Sequence, residues 1–215
     1  MASNIYNYFS LFNKEEFLSR WFKNKSIAIV GNGPSETGKS RGGEIDSHDI
    51  VVRFNSYKVT GYEKDCGART DIWVKCSSDD IKHDIRDNNI KLIIYESDFV
   101  HWNLFDGYIE AIANEININE LKVCCFNFED HVKIRGELNL FPSTGVLTFD
   151  VLRKMGASKV DLYGFSALQD DDVKCFGHYF NDCSFEESLS RGRYHVIDKE
   201  INYIRNKLNL HSIGK

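Results

Sequence analysis

The sequence has few of the features that mark disordered, nucleic-acid-binding or metal-binding proteins. Only 2 prolines occur in 215 residues, and no repeat or low-complexity stretch is present, which argues against a linker-rich chain. The net charge of −5, without a block of like charges, argues against the basic surface on which non-specific nucleic-acid binding depends. None of the 6 cysteines has the C-x-x-C spacing of zinc or redox sites. A globular protein that binds no nucleic acid is therefore expected.

Long hydrophobic runs are also missing. No run approaches 18 apolar residues, so the sequence predicts no membrane span, and the first 25 residues lack the apolar centre of an export signal. We therefore expect a cytoplasmic protein with reduced cysteines. Large apolar residues recur at roughly helical spacing over residues 5–22, which favours helices that pack on the domain. The alternative interpretation is a peripheral contact of this segment with the inner face of a membrane.

Short apolar runs rich in Val and Ile alternate with polar or helical stretches, a pattern typical of an α/β fold with a mainly parallel sheet. The predicted strands are Ile27–Val30, Ile50–Phe54, Ile72–Val74, Leu92–Tyr95, Val123–Phe126 and Val160–Tyr163. The predicted helices are Ser78–Asp87, Trp102–Ala113, Thr144–Met155 and His195–Leu208. No linker divides the chain, so we expect an N-terminal helical segment, 1–25, followed by one domain, 26–215.

Glycine and polar residues cluster directly after three of the predicted strands. They are Gly31-Asn32-Gly33 after Val30, Asn55-Ser56 after Phe54, and Gly164-Phe165-Ser166 after Tyr163. Because parallel α/β sheets bind ligands at the carboxyl ends of their strands, these clusters predict the position of a site. Two asparagine amides there would offer donors and acceptors to ribose, phosphate or base.

Residues 33–40 match the phosphate-binding pattern G-x-x-x-x-G-K-[ST] of nucleotide triphosphatases. That interpretation requires a helix that begins at Lys39-Ser40. Arg41-Gly42-Gly43 follows at once, and two glycines disfavour a first helical turn by roughly 2 kcal/mol relative to alanine. The sequence therefore argues against a triphosphatase.

Four ordered segments carry a more specific signal. The first contains Val-Gly-Asn at 30–32, Ile-Asp-Ser-His-Asp at 45–49 and Val-x-Arg-x-Asn at 51–55. The second contains Pro-Ser-Thr-Gly at 142–145, a helix-start signal, and Val-Asp-x-Tyr-Gly-Phe at 160–165. His178-Tyr179-Phe180-Asn181 and His195-x-x-x-x-Glu200 complete the order. Together they resemble the long, short, third and very small sialylmotifs of animal-type sialyltransferases, glycosyltransferase family 29.

The resemblance implies a single Rossmann-like domain, a variant of the GT-A-like fold, that transfers sialic acid from CMP-sialic acid to a sugar hydroxyl with inversion. It implies no metal and no other cofactor. Asn32 and Asn55 would bind the phosphate and ribose side of the donor, and Ser143, Thr144 and Gly145 the cytidine. Gly33, Gly164 and Phe165 belong to the same substrate-binding segments. His178 would contact the leaving phosphate, and His195 would deprotonate the acceptor.

The chain departs from the family pattern at three places. Ile27 and Ala157 stand where the animal enzymes have the two cysteines of a disulfide, and such bonds persist only in oxidising compartments. Asn181 replaces the acidic residue of the third motif, so it receives no role. The joint loss of both cysteines fits the expected cytoplasmic location.

Helix geometry leaves the role of Glu200 open. Five residues rotate by about 500° around an ideal helix, so Glu200 would not share a face with His195 inside one helix. Glu200 orients His195 only if His195 precedes the helix, and is otherwise structural. Of the remaining motif residues, His48 is interpreted as a turn or capping residue and Asp161 as a brace at the end of its strand.

Two alternatives to the sialyltransferase remain. The same fold could use the keto-acid sugar Kdo, also activated by CMP, or the chain could be a non-catalytic nucleotide- or sugar-binding protein. We expect residues 97–140 and 166–176 to hold the loops around the acceptor. That acceptor is expected to be a glycan or glycolipid with a galactose-type hydroxyl.

Overall fold

The computed structural model describes residues 14–75, 90–96, 122–165, 178–180 and 197–212. In this part of the chain the strands are β1 (Ser26–Val30), β2 (Ile50–Phe54), β3 (Ile72–Lys75), β4 (Leu92–Tyr95), β5 (Lys122–Cys125) and β6 (Lys159–Tyr163). The helices are α1 (Lys14–Phe22), α2 (Gly42–Asp46), α3 (Glu63–Cys66), α4 (Phe128–Leu138), α5 (Thr144–Lys154) and α6 (Ile197–Ser212), with a 3₁₀ turn at Pro34–Glu36.

The strands form one 6-stranded sheet in the order β5-β4-β3-β2-β1-β6, and every neighbouring pair is parallel. The predicted α/β fold with a parallel sheet is confirmed, and each predicted strand is present to within one residue at either end. The signal was reliable because β2, β3 and β4 are buried at every position, as strands covered on both faces must be.

One face of the sheet, here called the core face, packs against the helices. Its strand residues are aliphatic, aromatic or cysteine: Ile27, Ile29, Ile50, Val52, Phe54, Ile72, Val74, Leu92, Ile94 and Cys124. Helix α5 contributes the largest share of the helical side, with Phe149 and Leu147 fully buried. Burial of such side chains stabilises the fold by roughly 1.5–3 kcal/mol each.

The opposite face, here called the polar face, is buried as well but differs in composition. It carries Ala28, Val30, Val51, Arg53, Trp73, Lys75, Ile93, Tyr95 and Tyr163, all less than 4% exposed. The register places Val30 beside Arg53 and Arg53 beside Trp73, so a guanidinium lies at the centre of this face. Buried charges of this kind require specific partners, which the loops after β2 supply.

Helix α5 begins where the sequence predicts. Ser143 is its N-cap, and the Ser143 hydroxyl accepts a hydrogen bond from the Val146 amide at 3.4 Å. The last turn carries Arg153 and Lys154, whose charges favour a helix C-terminus. The predicted helix 195–208 corresponds to α6, described from Ile197 to Ser212. The predicted helices 78–87 and 102–113 lie outside the described residues.

Helix α4 was not predicted from the sequence. It begins after Asn127 and ends at Asn139, which adopts a left-handed conformation with φ 53°. Among the residues of this helix whose burial is described, Ile134 and Leu138 are the apolar ones that enter the core, and Val132 is 50% exposed. Its narrow apolar stripe explains why periodicity did not reveal it.

Helix α1 packs on the sheet, because Leu18 and Phe22 are buried in the core face. The domain boundary at residue 25 remains a prediction. Within the described ranges, no helix has the length and apolar character needed to cross a membrane.

Candidate functional site

The crevice between β1 and β6 is the switch point of the sheet, because β2 to β5 extend from one side of β1 while β6 pairs on the other. Ligands of open α/β sheets bind at such crevices. Here the backbones almost touch: the Gly31 amide donates to Tyr163 O at 2.7 Å, and the Gly33 amide to Gly164 O at 2.9 Å. A Cβ on Gly31 would lie 2.8 Å from Gly164 O, so the crevice floor is backbone alone.

The two predicted asparagines lie side by side at the ends of β1 and β2. The Asn32 side-chain amide donates to Phe54 O at 3.2 Å, and its Oδ1 is buried without a hydrogen-bond partner among the described residues. Asn55 adopts a left-handed conformation with φ 46°, and its carbonyl accepts from the Trp73 indole at 3.0 Å. A buried acceptor with no internal donor suits a ligand hydroxyl or amino group.

The third motif joins the same region. The Tyr179 amide donates to Asn32 O at 2.9 Å, which places the neighbouring His178 beside the end of β1. The Tyr179 hydroxyl contacts the Lys58 carbonyl, and burial raises the pKa of Tyr179 to about 12. His178 is half-buried, with its ring 5.0 Å from that of Phe180. The structure thus brings the predicted Asn32 and His178 together.

The short motif approaches from the other side of the crevice. A Cβ on Gly145 would lie 2.8 Å from the Phe165 ring, so only glycine allows the start of α5 to sit against it. Phe165 in turn makes an edge contact with Phe54, with ring centroids 6.4 Å apart. Ser143, Thr144 and Gly145 therefore lie at the same sheet edge as the asparagines.

Glu200 braces the short motif from the first turn of α6. Its carboxylate is 9% exposed and accepts from both the Ser143 amide and the Ser143 hydroxyl, each at 2.7 Å. Glu200 therefore has a structural role in holding Ser143, which is one of the two interpretations that the sequence left open. His195 lies outside the described residues, so its orientation by Glu200 and its role as base remain predictions.

Glu96 and His131 belong to the site but were not predicted from the sequence. The Thr144 hydroxyl donates to Glu96 Oε2, and His131 Nε2 lies 3.8 Å from Glu96 Oε1. Both side chains are largely buried, at 11% and 8% exposure. Glu96 directly follows a strand, as Asn32 and Asn55 do, and this signal could have revealed it.

In the loop that matches the phosphate-binding pattern, residues 33–40, two backbone amides are hydrogen-bonded to a carboxylate of the protein itself. Asp65 accepts from the Gly38 and Ser40 amides at 2.8 Å each, and these hydrogen bonds lower the pKa of Asp65. Helix α2 does begin at Gly42, against the expectation that two glycines prevent a turn there. This helix has only 5 residues and starts beyond Lys39-Ser40, where the triphosphatase pattern requires a helix to begin. The loop amides bind the Asp65 carboxylate, which takes the place that a phosphate would have.

Behind the crevice, an ion-pair network ties the long motif to β6. Arg41 lies over the Tyr163 ring at 4.6 Å and forms ion pairs with Glu36 and Glu44. The Tyr163 hydroxyl donates to Glu44 at 2.9 Å. The hydrogen bond from Arg41, with that from Tyr163, lowers the pKa of Glu44 to about 2. Burial and the adjacent Glu44 raise the pKa of Tyr163.

His48 is a capping residue at the end of α2, as the sequence suggested. Its Nδ1 lies 3.0 Å from the Glu44 carbonyl in α2, and its Nε2 lies 2.8 Å from Asp161 Oδ2 in β6. The residue is 7% exposed and so contacts protein on all sides. Across the described ranges, no group of three or more His, Cys, Asp or Glu side chains is arranged to hold a metal ion.

The sequence profile described as "Glycosyltransferase family 29 (sialyltransferase)" matches residues 3–102. Over these residues the chain is similar to glycosyltransferase family 29. Among curated relatives, the Mus musculus CMP-N-acetylneuraminate-beta-galactosamide-alpha-2,3-sialyltransferase 1 is 25% identical over 193 residues, 83% of this chain and 55% of the relative. The Homo sapiens CMP-N-acetylneuraminate-beta-1,4-galactoside alpha-2,3-sialyltransferase is 57% identical over 42 residues, 20% of this chain and 11% of the relative.

A solved structure has a similar fold. A mammalian sialyltransferase crystallised with Gal-beta-1-3GalNAc-ortho-nitrophenol superposes with a TM-score of 0.63 at 20% identity, over 89% of this chain and 69% of that one. The likeness shows the fold, and with it the expected GT-A-like arrangement. The chain spans about half the length of the curated relatives that match over most of it.

Proposed function

We propose that the chain transfers sialic acid from CMP-sialic acid to a galactose-type hydroxyl of a glycan or glycolipid acceptor. The observation that carries the proposal is the convergence of three family motifs on the β1–β6 crevice. The Tyr179 amide of the third motif donates to the Asn32 carbonyl, and Gly164 of the short motif lies against Gly31 of the long motif. The match of residues 3–102 to the family 29 profile and the similarity to alpha-2,3-sialyltransferases support this donor and acceptor class.

The proposed reaction is an inverting displacement without a metal ion. The acceptor oxygen forms a bond to the anomeric carbon of sialic acid, and the bond from that carbon to the CMP phosphate oxygen breaks on the opposite face. His195 takes the proton of the acceptor hydroxyl, since a histidine near its free pKa of about 6.5 is a suitable base at neutral pH. His178 donates a hydrogen bond to the departing phosphate.

The placement of His178 supports this division of roles. It lies beside the end of β1, where the Asn32 Oδ1 and the backbone of Gly31 and Gly164 form the crevice floor. The phosphate and ribose of the donor would occupy this floor, and the cytosine would reach the start of α5. Holding both substrates in one crevice makes the transfer nearly unimolecular, which lowers the barrier by several kcal/mol.

A transfer assay tests the proposal directly. The purified chain would be given CMP-sialic acid and a galactose-terminated oligosaccharide, and the product measured by mass spectrometry with linkage analysis. His195→Ala should reduce the transfer rate about 100- to 10,000-fold while CMP binding persists, since a general base contributes about that much. His211→Ala, in the last turn of α6, is the matched control and should transfer normally.

The same assay separates the alternatives. Transfer from activated Kdo but not from CMP-sialic acid would assign the other donor. A chain that binds CMP but turns over neither donor faster than His195→Ala would be a binding protein and would overturn the proposal. Normal transfer by His195→Ala would remove His195 from the role of base.

A further inference from the structure

The start of α5 is flanked by two carboxylates. Glu200 accepts both hydrogen bonds that Ser143 donates, and Glu96 accepts the one that the Thr144 hydroxyl donates. Two carboxylates beside the same helix turn repel a further anion. A phosphate group would therefore be disfavoured at this helix N-terminus, although the backbone alone would attract one. The loop is suited to the uncharged part of a nucleotide.

Glu96 also determines what the Thr144 oxygen can do. A hydroxyl has one proton to donate and lone pairs that accept. Because the proton points to Glu96 Oε2, the Thr144 Oγ1 can only accept a hydrogen bond from a ligand. The Thr144 and Gly145 amides, at the first positions of α5, have no acceptor among the described residues and are left to donate.

We propose that Glu96 is a positioning residue that makes the site specific for cytosine over uracil, by fixing the Thr144 hydroxyl as an acceptor. The inference rests on the proposed function, in which the short motif holds the base. Cytosine presents an amino donor at C4 beside the N3 and O2 acceptors, which complements one acceptor beside two donors. Uracil presents a carbonyl at C4 and would direct its lone pairs at those of Thr144.

Direct binding to CMP and UMP, measured by calorimetry on the full chain, tests the inference. The wild type should bind CMP at least about 10-fold more tightly than UMP, as expected for one hydrogen bond made and one repulsion avoided. In Glu96→Leu the Thr144 hydroxyl can rotate and donate to the uracil carbonyl. The CMP/UMP affinity ratio should therefore fall about 10-fold, partly because UMP binds more tightly.

Two further variants separate positioning from simple support of the fold. Thr144→Val removes the acceptor and should lower the ratio as Glu96→Leu does. Because Glu96 acts through Thr144, Glu96→Leu in the Thr144→Val background should leave the ratio of that variant unchanged. Glu137→Leu, the same substitution at a position that is 36% exposed on α4, is the control and should retain the wild-type ratio.

The outcomes distinguish this inference from the proposed function. If Glu96→Leu weakens both nucleotides by the same factor, or if the wild type does not discriminate between them, the role of Glu96 is overturned while sialyl transfer can still be measured. If the wild type binds neither nucleotide, the proposed function fails and this inference with it.

Discussion

The core face and the polar face of the sheet are buried to the same degree but are held together by different forces. On the core face, aliphatic and aromatic side chains from the strands meet those of α1, α4, α5 and α6. On the polar face, Arg53 is fully buried and donates to the carbonyls of Cys66, Gly67 and Arg69 at 2.6–3.0 Å. Burial lowers the pKa of this guanidinium.

The core face therefore contributes mainly to the stability of the fold, whereas the polar face also determines the shape of the site. Contacts on the core face depend on volume and tolerate small shifts, whereas hydrogen bonds on the polar face fix the positions of individual backbone atoms. The carbonyls that Arg53 binds lie in the connection between β2 and β3, the connection that begins at Asn55, and Tyr179 packs against Cys66 there. We therefore expect core-face substitutions to change the free energy of unfolding and polar-face substitutions to change ligand geometry as well.

The largest effect is expected from a cavity on the core face. Phe149→Ala should lower the free energy of unfolding by about 3–5 kcal/mol, because the residue is fully buried in α5. Urea denaturation measures the loss, and CMP affinity of the protein that stays folded should not change. A loss below about 1 kcal/mol would show that the core face can collapse around the gap.

A somewhat smaller loss should follow from replacing the buried guanidinium. Arg53→Met keeps the length and apolar stem but leaves three carbonyls without donors, at about 1 kcal/mol each, so we expect about 3 kcal/mol. CMP affinity should fall too, unlike in Phe149→Ala. Equal or greater stability of Arg53→Met would mean that the polar face is only a second core, since apolar replacements of buried ion networks often stabilise.

The smallest effect is expected from Tyr163→Phe, which removes one of the two hydrogen bonds that lower the pKa of Glu44 to about 2 from the ordinary 4.5. A lowered folded-state pKa stabilises the protein above pH 4.5, and this stabilisation disappears as the pH falls towards 2. The variant should lose about 1 kcal/mol near neutral pH, discounted for the exposure of Glu44. The difference from wild type should vanish near pH 2. Urea denaturation across this range measures it, and a pH-independent difference would contradict the assignment.

The sequence was sufficient for the sheet because several strands are near-continuous apolar runs, a signal contained within 4 or 5 residues. Helix α4 was missed because charged and polar residues separate its apolar positions, of which Val132 is exposed while Ile134 and Leu138 are buried. The short motif was placed correctly since Ser143 is a local cap that needs no distant partner.

The pairings within the site could not be read from the sequence in the same way. Glu96 and Thr144, or Glu200 and Ser143, are far apart in the chain and meet only because α5 lies across the end of the sheet. The sequence pattern at residues 33–40 resembles a phosphate-binding loop without being one, for a similar reason. Its amides are taken by Asp65, which no local pattern connects to Gly38.

The pairing of β1 with β6 also sets when the site can exist during synthesis. Ser26 pairs with Lys159, so the nascent chain must grow by about 130 residues before the crevice has its second wall. At the usual rates of translation this takes roughly 7–27 s, during which one edge of β1 has no partner strand. The crevice therefore cannot form before residues 159–163 have been synthesised.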